Sequence, residues 1–133
     1  SLGGDIFYDN GSARCIRCHA INDYGGNAGP RLNDISKRLT RLQLLEAMVD
    51  PSARIAPGYG IVTLKLKSGE MISGVLLEDG PEALVIKSGD GPQQTISTAD
   101  IEKRINAASS MPNMGQLLTK KEIRDLVSFL STL

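Results

Sequence analysis

Two periods of hydrophobic and polar positions run along this chain, and they divide it into three stretches. At the start, Ile6 and Phe7 anchor a short helix predicted over residues 4–14. The stretch "NDYGGNAGPRL" is rich in Gly and Asn, contains Pro30, and reads as a loop. A helical turn or two is predicted across Asn33–Leu39. Thr40-Arg-Leu-Gln43 has the form of a capping box, and Leu42, Leu45, Met48 and Val49 follow at helical spacing. Pro51 ends that helix, because proline disfavours helical geometry in the residue before it.

From residue 61 to 97 the period becomes two. Val62, Leu64 and Leu66 alternate with Thr63, Lys65 and Lys67. Turn signals at Ser68-Gly69, Asp79-Gly80-Pro81 and Ser88–Pro92 separate further runs, "MISGVLLE", "EALVIKS" and "QQTIST". The pattern predicts a four-stranded antiparallel meander, with a fifth short strand or a turn of helix at Ala99–Arg104. Such a sheet has a face to bury, by curling into a small barrel or by packing on the helical part. Helix returns at Thr119-Lys-Lys-Glu122, a second capping box, followed by Ile123, Leu126, Val127 and Leu130 with Phe129 alongside. The layout is therefore helix, inserted sheet, helix. Residues 1–58 and 106–133 form the helical part and 59–105 the inserted β-meander, all expected within one compact unit.

Composition narrows the functional classes. The 133 residues carry 15 basic and 15 acidic side chains, so nothing global points to nucleic acid or an anionic membrane. Only 4% of residues are aromatic, thin for a reader of nucleic-acid bases. The insert faintly resembles an Sm-type or SH3-like barrel. Residues 61–97 offer three lysines and no aromatic residue, so RNA binding is not expected. The charge is uneven: residues 11–45 hold six basic groups and two acids, and residues 46–105 hold nine acids and six bases. No apolar run approaches the ~18 residues of a membrane span. The opening "SLGGDIFYD" shows neither a basic nor an apolar signal region.

Both cysteines and the only histidine fall in "CIRCH", residues 15–19. A closed zinc site wants about four protein ligands, and no other Cys or His exists to complete one. A redox dithiol of the thioredoxin kind opens a helix beside a βαβ pattern, whereas here a helix precedes the motif and the strands come later. Cys-x-x-Cys-His is the attachment signature of c-type haem. The two thiols lie one helical turn apart, at the spacing of the two vinyl edges, and the next residue is placed under the iron. With no second histidine, the candidates for a sixth ligand are the four methionines, His/Met being one pair that carries electrons. Met48 lies on a helical apolar stripe and Met71 in a strand, where packing is the simpler role. Met111 and Met114 lie in the loop "NAASSMPNMGQLL", which can aim a thioether and is stiffened by Pro112.

Gly4 with Ile6-Phe7, Cys15-Ile-Arg-Cys-His19, Gly29-Pro-Arg-Leu32, Met111-Pro112 and Glu122-Ile-x-x-Leu126-Val-x-Phe-Leu130 together resemble class I cytochrome c. The resemblance implies a mainly α cytochrome c-like fold around a covalent haem, carrying an inserted small antiparallel β-sheet or barrel, α+β overall. It implies that the first and last helices cross, so that Phe7 meets Leu126 and Phe129 or Leu130. It implies further that the Pro30 carbonyl accepts the His19 ring N–H, that Leu32 packs on the haem face, and that Met111, rather than Met114, is the axial ligand. Tyr59, at the start of the insertion, is a candidate for a haem propionate.

Over nearly its full length, including "DPSARIAPGY" and "LKSGEMISGVLLED", the chain is also similar to a haem-binding domain of planctomycete and verrucomicrobial proteins. There it commonly ends a larger polypeptide with dehydrogenase-like modules. The resemblance implies one covalent haem c, a periplasmic or otherwise exported location, and single-electron transfer rather than catalysis. The expected partner is a redox protein or fused dehydrogenase-like module whose acidic surface meets the basic region of Arg14, Arg17 and Arg38. The rival expectation is a haem enzyme or gas sensor with an open or displaceable sixth position.

Overall fold

Each principal helix begins where a side chain can satisfy the free N–H groups of a first turn. The computed structural model describes all 133 residues. In α1 (Leu2–Asp9) the Ser1 hydroxyl accepts the Gly4 N–H at 3.0 Å. The helix ends earlier than residue 14 because Asn10 turns the chain: its side-chain oxygen accepts the N–H groups of Ser12 and Ala13, both at 2.9 Å. One turn, α2 (Cys15–Cys18), follows. The loop expected over 22–32 instead opens with a small antiparallel hairpin, β1 (Ala20–Ile21) and β2 (Tyr24–Gly25). Its two-residue turn, Asn22-Asp23, has positive φ at both positions, the conformation that matches strand twist and that Asn and Asp tolerate. Then come α3 (Ile35–Arg38), α4 (Arg41–Val49) and α5 (Lys120–Leu130). Both predicted capping boxes are formed, Thr40 with Gln43 and Thr119 with Glu122.

Helices α1 and α5 build the core of this part. Phe7 is buried, its ring 6.0 Å from that of Phe129, and Leu126, Val127 and Leu130 are buried in the same cluster. Burying a side chain of that size stabilises by roughly 2–3 kcal/mol. Gly3 permits the approach: a Cβ there would overlap the Asp125 carbonyl oxygen and the Phe129 Cβ. In α4 the buried positions are Leu44 and Met48. Leu42 and Leu45 lie exposed, contrary to the predicted stripe. Three leucines within four positions leave the helical phase ambiguous, and packing chose the i, i+4 pair.

The sheet is a separate compact unit, residues 55–110, and the helical elements belong to residues 1–54 with 111–133. The flanks join the sheet through hydrogen bonds: Gly58 N–H donates to the Leu76 carbonyl and Ala107 N–H to that of Ile61. The strands are β3 (Ile61–Leu66), β4 (Met71–Asp79), β5 (Ala83–Lys87), β6 (Gln93–Ser97) and β7 (Ile101–Asn106), in the order β6-β5-β4-β3-β7, all antiparallel. A 3-10 turn at Thr98–Asp100 precedes β7, so residues 99–104 supply both of the expected alternatives. The meander closes differently from a plain one, since β7 returns beside β3. Edge strands β6 and β7 do not pair, so hydrogen bonding leaves the sheet open. Alternation buries Val62, Leu64, Ile72, Leu76, Leu84 and Ile86 together. Register shifts after Lys65 and Leu76 bend the sheet. Arg104 also makes a two-pronged contact with Asp79, at 3.1 and 3.0 Å. Met71 is exposed, not packed as expected, because Ile72 takes the inward position.

The mainly α cytochrome c-like fold expected from sequence is not what the chain forms. Helix makes up 32% of the chain. The five α-helices are only four to eleven residues long, and the chain also forms a five-stranded antiparallel sheet, so the architecture is α+β. The apolar periodicity marked the helical segments but not their lengths: Asn10 ends α1 early, and α2 and α3 start only after the positive-φ residues Arg14 and Asp34. No helix is long and apolar enough to cross a membrane.

Gly3→Ala is expected to cost about 2–3 kcal/mol by overpacking the α1–α5 contact. Denaturant unfolding measures it against Gly11→Ala, where a Cβ meets nothing within 4 Å and little change is expected.

Candidate functional site

The site residues sit on one helical turn and on the loop that returns beside it. Cys15 and Cys18 are the first and last residues of α2, an i, i+3 pair on one helical face. Both thiols are free, Cys15 half-buried and Cys18 exposed. His19 caps the turn: its N–H donates to the Cys15 carbonyl at 2.9 Å, while its own backbone is already extended. Arg14, just before the motif, has positive φ (53°), a conformation a side-chain-bearing residue adopts at some cost. The Arg14 Nε donates to the Gly11 carbonyl at 2.9 Å, which helps hold it there.

The returning loop is stitched to this turn by a ladder. N–H groups of Gly26, Gly29 and Leu32 donate to the carbonyls of Ile16, Cys18 and Ala20, at 2.9, 2.7 and 3.0 Å. One strand advances two residues per rung and the other three. The glycines allow this closeness: a Cβ on Gly26 would overlap the Arg17 carbonyl, and one on Gly29 would lie 2.6 Å from His19 Cε1. Between the last two rungs the Pro30 carbonyl faces the histidine, and His19 Nδ1 donates to it at 2.8 Å. That bond puts the proton on Nδ1, which leaves the lone pair on Nε2.

Chemically, the turn offers two free thiols and an oriented imidazole with its Nε2 lone pair available as a ligand. Cys15, Leu32 and Met111 are all half-buried against the one apolar cluster that also contains Phe7 and Leu126. Met114 is almost fully buried and starts the 3-10 turn Met114–Gln116. Its side chain is core. Tyr59 belongs to the other unit and is exposed. Among the basic residues, Arg38 is engaged with the carbonyls of Arg31 and Asn33, at 2.9 and 3.2 Å, and Arg31 pairs with Asp23 at 2.9 Å. Arg17 is exposed.

Sequence reasoning reached Cys15, Cys18, His19, Pro30, Leu32 and Met111, but it passed over the ladder, the glycine contacts and the side chains of Asn22 and Asn33. The clustering of Gly25, Gly26 and Gly29 was the available signal. No protein-family model matches the chain, and no curated protein matches it.

Burial is the main reason the Cys15 thiol lies above the ordinary thiol range. A hydrogen bond from its own backbone opposes that shift, and neighbouring Cys18 adds to it. With both thiols free, Cys18 is expected to be alkylated before Cys15. The Cys15 rate should keep rising with pH beyond the point where an ordinary thiol levels off, because its thiolate forms later. Peptide mapping after timed iodoacetamide pulses from pH 7 to 10 checks both.

Proposed function

We propose that the helical unit, residues 1–54 with 111–133, carries one covalently attached haem c and serves single-electron transfer. The observation that carries this reading is the His19 Nδ1 to Pro30 carbonyl bond of 2.8 Å, set directly beside two free thiols one helical turn apart. The donor set fits the group: Cys15 and Cys18 would hold it by thioethers, and His19 Nε2 would ligate the iron. Haem bound in this way supplies a centre that takes up and releases one electron at a time.

The chain's own residues then have distinct tasks. Pro30 fixes the tautomer and the ring angle of His19. Gly29 leaves room for the ring. Met111 would supply the second ligand to the iron, because its side chain is half-buried at the rim of the core, whereas that of Met114 is committed to packing. Leu32, on the same rim, would exclude water from one face. Arg17 and Arg14 keep the surface near the motif positive. This would speed encounter with an acidic redox partner or a fused dehydrogenase-like module more than it tightens the complex. The chemistry of thioether attachment suits an exported, periplasm-like compartment.

Expression with a c-type haem-attachment system tests the reading. The pyridine haemochrome should show haem with both vinyl groups saturated, and Cys15→Ala or Cys18→Ala should leave one unsaturated. The oxidised protein should show a weak far-red sulfur-to-iron band that Met111→Ala abolishes. A chain that binds no haem covalently overturns the proposal. A band that survives Met111→Ala, or rapid binding of CO to the ferrous protein, overturns the ligand assignment.

A further inference from the structure

We propose that the side chains of Asn22 and Asn33, assisted by Arg38, are positioning residues for His19: they clamp the loop whose Pro30 carbonyl holds the imidazole. The clamp rests on the haem reading for its purpose, though not for its geometry. Pro30 has no N–H, so its carbonyl can be placed only by its neighbours. On one side the anchor is the rung from Gly29 to the Cys18 carbonyl; on the other it is the rung from Leu32 to the Ala20 carbonyl. Past Leu32 the backbone ladder stops, and Asn33 continues it with its side chain. Asn22 N–H donates to Asn33 Oδ1 at 3.0 Å, and Asn33 Nδ2 donates to Asn22 Oδ1 at 2.7 Å. The first bond fixes which end of the Asn33 amide is oxygen, since a backbone N–H needs an acceptor. The pair is reciprocal and ring-closing: turning the Asn33 side chain breaks both bonds, and turning that of Asn22 breaks one.

Two further contacts bind the same loop. Arg38 gathers the carbonyls of Arg31 and Asn33, the residues on either side of Leu32. Arg31 reaches back across the hairpin to Asp23. The turn itself is suited to this duty, because Asn22 and Asp23 hold positive φ and present their side chains toward residues 31–33. All these contacts are exposed, so each adds little to global stability. Their effect is local: they hold the segment 30–33 at the spacing at which the Pro30 oxygen meets Nδ1. Without them, one side of Pro30 is tethered by the single Leu32 rung.

The test uses the fact that His19 is the only histidine, so one ring proton reports the clamp directly. Solvent exchange of the His19 Nδ1 proton is followed by NMR in the chain as purified, haem-free or with the ferrous group attached. Asn33→Ala and Asn22→Gly, the latter keeping the positive φ, are each expected to speed that exchange about fivefold or more, the scale of losing one net hydrogen bond. Asn33→Asp keeps the acceptor, the Asn22 amide can turn to donate to it, and exchange should stay close to the parent rate. Exchange of the Ile123 and Leu126 amides in α5 should not change, which separates local loosening from lost stability. Unchanged Nδ1 exchange in both Asn33→Ala and Asn22→Gly overturns the clamp. So does equal loosening in Asn33→Asp, or acceleration that spreads to α5. The readout exists with or without haem, so failure of the clamp and failure of haem attachment are distinguishable.

Discussion

The helical unit depends on the contact between its two ends in sequence. Helix α1 lies near the N-terminus and α5 near the C-terminus, and their approach is close enough that Gly3 has no room for a Cβ beside Asp125 and Phe129. Phe7 and Leu126 fill the seam, and Ala13, Ile21, Ile35, Leu44 and Met48 complete the cluster around it. None of the helices is long enough to stand alone, since isolated helices under about twelve residues are marginal in water. They persist because this cluster gives each an apolar face to bury.

On that scaffold the site is made by backbone rather than by long side chains. The loop 26–32 takes up the carbonyls of 16, 18 and 20, and the glycines let it lie against the turn. The histidine is thereby held by a carbonyl that belongs to a residue without an N–H of its own. The local chemistry is economical: one hydrogen bond selects the tautomer, sets the ring plane and leaves the lone pair on Nε2. The sheet is organised by different means, through alternation and two register shifts, with Arg104 and Asp79 joining β7 to the end of β4.

The approach of the Pro30 carbonyl to the His19 ring was expected only through the family resemblance, and the structure forms that bond. The spacing of Cys15, Cys18 and His19 pointed to a haem-attachment chemistry as an expectation, and Leu32 and Met111 were added by the same resemblance. The capping residues Thr40 and Thr119 were legible because a cap acts over four residues. The Asn22–Asn33 pair was not, because it joins residues eleven apart whose side chains carry no apolar pattern. The phase of α4 was misread, since Leu42, Leu44 and Leu45 satisfy more than one stripe. The helical architecture was overestimated for a related reason: periodicity shows where a helix is favoured and is weak on where it stops.

What the sequence alone determined is short-range. It set the type of the longer segments, the alternation that gives the sheet an inside, the caps, and the thiol–thiol–imidazole spacing, because these act through a few consecutive bonds. Tertiary structure decided the rest. It returned β7 beside β3 rather than beside β6, divided the chain at 54/55 and 110/111, buried Met114 while leaving Met111 at the rim, and brought the Pro30 oxygen to the imidazole. Each of these outcomes depends on which distant surfaces can pack without a clash and which carbonyls find a donor, and that is settled only when the whole core closes.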